Sequence, residues 1–216
     1  MDKTTKIKNT KMKFPLKKYT NIKIFLKDYK SFLNSTLESI QNENLVKATT
    51  LIEKKIKQKK NIFICGNGGS AAIANHYIAD YLKTLKTGTN LVPKIFSLSS
   101  NIELITAIAN DISFDKIFSY QLKSLAQRGD LLIIISSSGN SKNIKNVLIE
   151  AKKIKTEIIS FVGFKGGYTK KNSNISIHSK IDNYGISEDT AHIFMHIIVQ
   201  FLKQKNLNIK QKKIKF

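Results

Sequence analysis

The feature that most limits the possible folds is a repeating rhythm: a run of consecutive apolar residues, a turn of small residues, then a stretch with helical spacing. Asn61–Cys65 ends in Gly-Asn-Gly-Gly-Ser (66–70), and a helix is predicted from about Ala71 to Leu85. Lys94–Leu98 is another short strand candidate, with helical stretches at Asn101–Ala109 and Phe114–Gln127 after it. Asp130–Ile135 ends in Ser-Ser-Ser-Gly-Asn-Ser (136–141), and Asn143–Ile154 follows with helical spacing. Glu157–Val162 and Asn174–His178 read as further strands, and Gly185–Gln204 as a long final helix. A strand with one wet face alternates apolar and polar residues, whereas an unbroken run of Leu and Ile must be covered on both faces. Strands of that kind alternating with helices predict an α/β fold on a parallel sheet.

Two helices precede this unit. From Asn21 to about Glu43 the apolar residues recur at helical spacing, through Ile22, Phe25, Tyr29, Phe32, Leu37 and Ile40. A second stripe runs through Leu45, Val46, Leu51, Ile52 and Ile56. Such an amphipathic hairpin can form an oligomer contact or pack on its own sheet. With 216 residues and no internal repeat or low-complexity linker, one domain is the simplest reading. The expected organisation is a basic, frayed extension over 1–20, a single domain over 21–205, and a basic tail over 206–216.

The 37 basic and 15 acidic side chains give a formal charge of +22. That balance alone invites a nucleic-acid reading. The composition argues against it, because Arg128 is the sole arginine and base reading favours the bidentate arginine fork. The excess is lysine, and it collects at the two ends, so solvated tails are expected and no nucleic-acid partner. Cys65 is the single cysteine, which rules out an internal disulfide and fits a reducing compartment. No apolar run is long enough to span a membrane and no secretory leader is visible, so a cytoplasmic location is expected.

The turns carry the first chemical information. Three glycines within Gly66–Gly69 permit close backbone approach, and the following helix offers free N–H groups and a positive dipole end to an anion. The bland alternative is a tight turn capped by Ser70. In the second turn Ser136, Ser137, Ser138 and Ser141 bring four hydroxyls to another helix N-terminus, more than a cap needs, and phosphate binding is the favoured reading. Both turns fall at the carboxyl ends of predicted strands, where open α/β sheets bind ligands. Neither is a Walker loop or a dinucleotide fingerprint.

The second constellation is acid and imidazole. His76 and Asp80 stand at i, i+4 on one predicted helix, and Glu188, His192 and His196 at i, i+4, i+8 on another. Each set shares a helix face. Together they can bind zinc or a similar divalent ion, or transfer protons directly. Taken singly, each pair is also what an ordinary exposed helix carries.

The stretches ICGNGGSAAIANHYIAD (64–80), AIANDISFDKIFS (107–119), GDLLIIISSSGNSKN (129–143) and EDTAHIFMHIIVQFL (188–202) resemble the sugar isomerase (SIS) family, and within it the phosphoheptose isomerases. The resemblance implies a three-layer α/β/α fold with a five-stranded parallel sheet behind a helical hairpin, and a homotetramer with sites at subunit contacts. It implies conversion of sedoheptulose 7-phosphate to glycero-manno-heptose 7-phosphate, supplying lipopolysaccharide or capsule. By position, Asn67, Gly68 and Gly69, with Ser70 beside them, match the family's first substrate loop. Asn110 and Asp111 match a pair that contacts the sugar, and Ser136, Ser137, Ser138 and Ser141 match its phosphate-binding serines. His76 and His196 fall on its zinc histidines, and His196 is also its catalytic histidine. The expected metal set is His76, Asp80, Glu188 and His196 with one zinc per subunit. His192 is an alternative ligand to His196, which the resemblance favours.

Two positions depart. The family has Glu where this chain has Asp80, shortening the reach by roughly the 1.5 Å of one C–C bond. It has Gln where this chain has Glu188, which adds a negative charge. Aldose–ketose isomerisation moves a proton between C1 and C2 through an enediol. Asp80 and His196 are expected to share that work, with Glu188 a third candidate. The alternatives are a non-catalytic phosphosugar-binding module and an isomerase of another sugar phosphate.

Overall fold

The computed structural model describes residues 12–208. Five parallel strands, β2 (Asn61–Cys65), β3 (Lys94–Ser97), β4 (Leu131–Ser136), β5 (Glu157–Val162) and β6 (Ile175–His178), form one sheet in the order β3-β2-β4-β5-β6. Its register pairs Ile62 with Leu131, Leu131 with Glu157, and Ile159 with Ile175. All of β4, the central strand, is buried, as its unbroken Leu-Ile run requires.

The alternation of side chains along each strand splits the core in two. Ile62, Ile64, Leu131, Ile133 and Ile159 point to one face, against α2 (Asn42–Lys57), α3 (Gly69–Ala79) and α8 (Tyr184–Lys205). Phe63, Cys65, Leu132, Ile134 and Ile158 point to the other, against α4 (Ile102–Asp111), α5 (Ile117–Leu125) and α6 (Lys142–Ile154). Two apolar faces on one sheet produce the three layers. Burial pushes the Cys65 thiol far above its ordinary range, so it serves as a small apolar residue.

The leading hairpin packs on its own sheet through α2, whose Ala48, Leu51, Ile52 and Ile56 are buried. The preceding helix, α1 (Ile22–Glu38), opens with Asn21 as N-cap, its side chain accepting from Lys23 N and Ile24 N. It leaves Ile22, Ile24 and Leu26 exposed.

Residues 12–14 depart from the expected frayed extension. β1 (Met12–Lys13) pairs in parallel with β7 (Ile181–Asp182), just ahead of α8. Phe14 is only 2% exposed and its ring packs against Tyr19, Phe25, Tyr29 and Phe32. That aromatic burial offsets the entropy of ordering a strand two residues long. Its carbonyl accepts from the Asn183 side chain at 3.0 Å. Residues 1–11, the rest of that extension, lie outside the described residues. At the other end Leu207 bridges Thr89, and Asn208 N donates to Gly88 O at 2.9 Å. Residues 209–216 of the expected tail lie outside the described residues.

Two features were not anticipated. The helix after the glycine turn widens into a π-helical stretch at Asp80–Leu85, a form common at functional sites. A short helix, α7 (Gly167–Asn172), stands between β5 and β6.

Candidate active site

The two strand-to-helix turns meet. β2 and β4 are neighbours, so the turns that leave their carboxyl ends lie side by side above the sheet. Asn67 and Asn143 clasp them together: each side-chain amide donates to the other's oxygen, at 3.0 and 2.9 Å. The first turn is fixed from beneath by Ser99, whose hydroxyl accepts from Gly66 N and donates to Gly66 O. Gly68 adopts a φ of 55°, which favours glycine. A Cβ at Gly69 would meet the Glu188 carboxylate, which would have to shift to admit it.

In the second turn Ser136 and Ser137 are buried and Ser138 half-buried. Ser136 Oγ accepts from Gly139 N at 3.2 Å. Ser141 stands at the N-cap of α6 but its hydroxyl makes no capping bond. A loop over 163–167 backs this turn. Gly163 N donates to Ser137 O at 2.9 Å, and a Cβ at Gly139 would collide with Gly166 O. Gly139 has a φ of 64°, which again favours glycine. His178 holds the loop, its ring Nε2 donating to the Phe164 carbonyl at 2.9 Å. Burial lowers the His178 pKa below its usual value, helped by Lys170 and Lys180 and opposed by the bond to Phe164.

Between the turns lies a cavity of about 290 Å³. Asn67, Gly68, Gly69 and Ser70 form one wall and Ser136, Ser137, Ser138 and Ser141 another, with Tyr184 and Glu188 of α8 closing the third. Glu188 Oε1 accepts from Ser70 Oγ at 3.2 Å. Hydroxyls, backbone amides and two helix N-termini facing one small space suit a phosphate, and the carboxylate beside them suits a sugar hydroxyl.

Further along α3 and α8 the imidazoles assemble. His76 Nε2 and His196 Nε2 are 3.0 Å apart. Asp80 Oδ2 stands 3.6 Å from the first and 3.3 Å from the second. His192 completes the cluster, its ring centroid 4.8 Å from that of His76 and 4.4 Å from that of His196. One ligand atom from each of the three histidines falls within 4.8 Å of the others. Burial lowers the His192 pKa, and the other two imidazoles add to that. Asp80 Oδ2 and His192 Nε2 are buried with no hydrogen-bond partner among the described residues. Buried atoms of that kind are unusual, and nitrogen and oxygen donors so arranged match what zinc binds. The donor set therefore fits a divalent ion.

Of the residues singled out in the sequence, the structure gathers Asn67, Gly68, Gly69, Ser70, Glu188 and the four serines around the cavity. It gathers His76, Asp80 and His196 in the imidazole cluster, with His192 beside them. Asn110 and Asp111 join neither group; they sit exposed at the end of α4, bonded to each other at 2.8 Å. Glu188 lies in the cavity wall, and neither it nor Asp80 belongs to the three-histidine group. Sequence reasoning missed Tyr184 as a cavity wall and Asn143 as a clasp. Asn143 is the second residue of α6, two past the Ser136–Ser141 turn, and only its 1% exposure in the fold marks it as structural.

A SIS domain family model matches residues 25–163. Phosphoheptose isomerase of Campylobacter concisus is 35% identical over 153 residues, covering 71% of this chain and 80% of that protein. Phosphoheptose isomerase of Aliarcobacter butzleri is 34% identical over 181 residues, covering 84% and 94%. Among solved structures, phosphoheptose isomerase GmhA from Neisseria gonorrhoeae superposes with a TM-score of 0.77 at 25% identity, covering 85% of this chain and 97% of that one. A phosphoheptose isomerase from Francisella tularensis gives 0.76 at 23% identity, covering 85% and 96%, a likeness of fold.

Proposed function

The chain belongs to the SIS-domain family, among the phosphoheptose isomerases, and from that premise we propose that it interconverts sedoheptulose 7-phosphate and D-glycero-D-manno-heptose 7-phosphate. The observation that carries this reading is the convergence of the glycine turn, the serine turn and Glu188 on one cavity, with the imidazole cluster on the same two helices. An enzyme needs proton-transfer groups there; a module that only senses a phosphosugar does not.

In this reading the serine turn anchors the distal phosphate and holds the open-chain sugar in the cavity, an interaction made equally before and during the reaction. The glycine turn lets the backbone N–H groups of Gly68, Gly69 and Ser70 approach sugar oxygens closely. Glu188, held by Ser70, takes or returns a proton at C1 or C2. His196 and Asp80 hold the proton that travels to and from the carbonyl oxygen. A zinc ion held by His76, Asp80 and His196 would take over that task from the two groups, supplying polarisation of the carbonyl in place of the proton. The enediol intermediate carries negative charge on oxygen, and positioned donors are worth most at that point.

The protein is proposed to work in the cytoplasm as a homotetramer. Asn110 and Asp111, exposed on one chain, are proposed to reach the sugar bound by a neighbouring copy. The test is incubation of the purified protein with sedoheptulose 7-phosphate and detection of the aldose product by NMR. Appearance of the heptose 7-phosphate is the expected result. Absence of turnover on this ketose, with turnover on another ketose phosphate in the same panel, overturns the substrate.

A further inference from the structure

We propose that His192 is the fourth metal donor in this chain, beside His76, His196 and Asp80, and that Glu188 is not a ligand. The inference rests on the isomerase reading only for the expectation that a divalent ion is bound; the donor set is argued from geometry. His192 sits one helical turn before His196 on the same face of α8, and its ring packs edge-on against His76 from α3. Its Nε2 is buried and unpartnered, and so is Asp80 Oδ2. A cation placed among the three rings would give His192 Nε2 a partner and stand beside Asp80, whose Oδ2 lies 3.6 Å from His76 and 3.3 Å from His196.

The distances are close to those of a tetrahedral site. Zinc with Zn–N bonds of ~2.0–2.1 Å separates its ligand atoms by about 3.3 Å. His76 to His196 is 3.0 Å, and Asp80 to those two imidazoles is 3.6 and 3.3 Å. Three donors therefore stand nearly in place. His192 falls within the 4.8 Å spread of the imidazole group, wider than the separation in a formed site, so its ring must move inward to bind.

Glu188 is engaged elsewhere. Its carboxylate accepts the Ser70 hydroxyl and fills the space left by the missing side chain of Gly69. Drawing it into the metal site would break that bond and empty the cavity wall. The consequence is chemical. Three imidazoles and one carboxylate leave a bound dication with a net charge of +1, whereas a second carboxylate would neutralise it and soften its pull on a carbonyl oxygen. Glu188 then keeps its basicity for the sugar carbon, and a fifth position on the ion remains for the substrate oxygen.

The test strips the full chain of metal and titrates it with Co²⁺ and Zn²⁺ alone, in the wild type, His192→Ala and Glu188→Gln. Wild type should bind one Co²⁺ per chain and show three hyperfine-shifted, exchangeable imidazole N–H signals. His192→Ala should weaken the ion by at least ~100-fold in chelator competition, since removing even an outer-sphere partner costs ~10–100-fold. Glu188→Gln should bind within about twofold of wild type, with an unchanged cobalt absorption spectrum. Two shifted N–H signals in the wild type, wild-type affinity in His192→Ala, or loss of the ion in Glu188→Gln would each overturn the proposal. The signal count is read on the wild type, so it stands even where a variant fails to fold. The sedoheptulose 7-phosphate assay on the same preparations tests the isomerase reading separately.

Discussion

The glycine turn and the serine turn occupy equivalent places, at the carboxyl ends of neighbouring strands, yet they are built by opposite means. The first is shaped by what is missing. Gly66 leaves no space for a Cβ against the Ser70 backbone, and the volume beside Gly69 is taken by the Glu188 carboxylate. The second is shaped by what is present, namely hydroxyls over a supporting loop held by His178. The first turn leads into the helix that carries His76 and Asp80. The second leads into α6, which carries neither histidine nor a clustered acid. In the proposed function one turn is coupled to chemistry and the other to anchoring, and damage to them should separate into kcat and KM.

The strongest way to break that comparison is at the chemical end. Asp80→Asn and His196→Ala should each lower kcat by ~10³-fold or more, within the range set by general acid–base catalysis, with the fold intact by circular dichroism. Turnover near wild type in either variant would remove the chemistry from the glycine-turn side. Next comes Gly69→Ala, which pushes a methyl group into the Glu188 carboxylate. The displaced carboxylate would lose part of the ~10²–10⁴-fold that a positioned proton-transfer group supplies, so steady-state kinetics should show kcat down by roughly 10- to 100-fold. A rise in KM alone would mean that the two turns do not differ in kind.

The anchoring end should respond more mildly. Replacing Ser137 and Ser138 together by Ala removes hydrogen bonds to a charged phosphate, each worth ~1.5–3 kcal/mol. KM should rise by at least ~10-fold while kcat for the remaining bound substrate changes little. A matching fall in kcat would place the phosphate among the groups felt only in the transition state.

The smallest effect concerns acid. The His178 imidazole is held neutral by burial, with its pKa below the ordinary 6.5. The unfolded chain therefore takes up this proton first. Stability rises with pH where the unfolded state binds more protons, so it should fall as pH drops below about 6.5. His178→Gln should flatten the slope of Tm against pH between neutrality and mild acid. An unchanged slope would detach His178 from the support of the serine turn.

What the sequence disclosed follows from burial. β4 and β5 declare themselves because strands covered on both faces need unbroken apolar runs, and the turns declare themselves because glycine and serine have narrow uses. β1 and β7 have two residues each, too few to show any period. Their pairing rests on Phe14, a single aromatic whose burial no local pattern announces. The widened helix at Asp80–Leu85 carries Tyr81 and Leu85 into the core, and no local pattern in the sequence announces it. Glu188 and His192 share one helix face in sequence, yet one points to the cavity and the other to the imidazoles. A periodicity of 3.6 places residues on a face; it does not say which neighbour each will meet.

The strand at residues 12–13 gives the start of the chain a task that its basic composition conceals. The Asn183 side chain caps α8 through Ile186 N while donating to the Phe14 carbonyl, and Glu188 projects from the second turn of that helix. Shortening the protein to begin at residue 21, a natural choice for anyone preparing it, would take away both the aromatic plug and the tether on that cap. The sheet would still assemble, and His196, two turns farther along, would still find its companions. The casualty would be the aim of a single carboxylate.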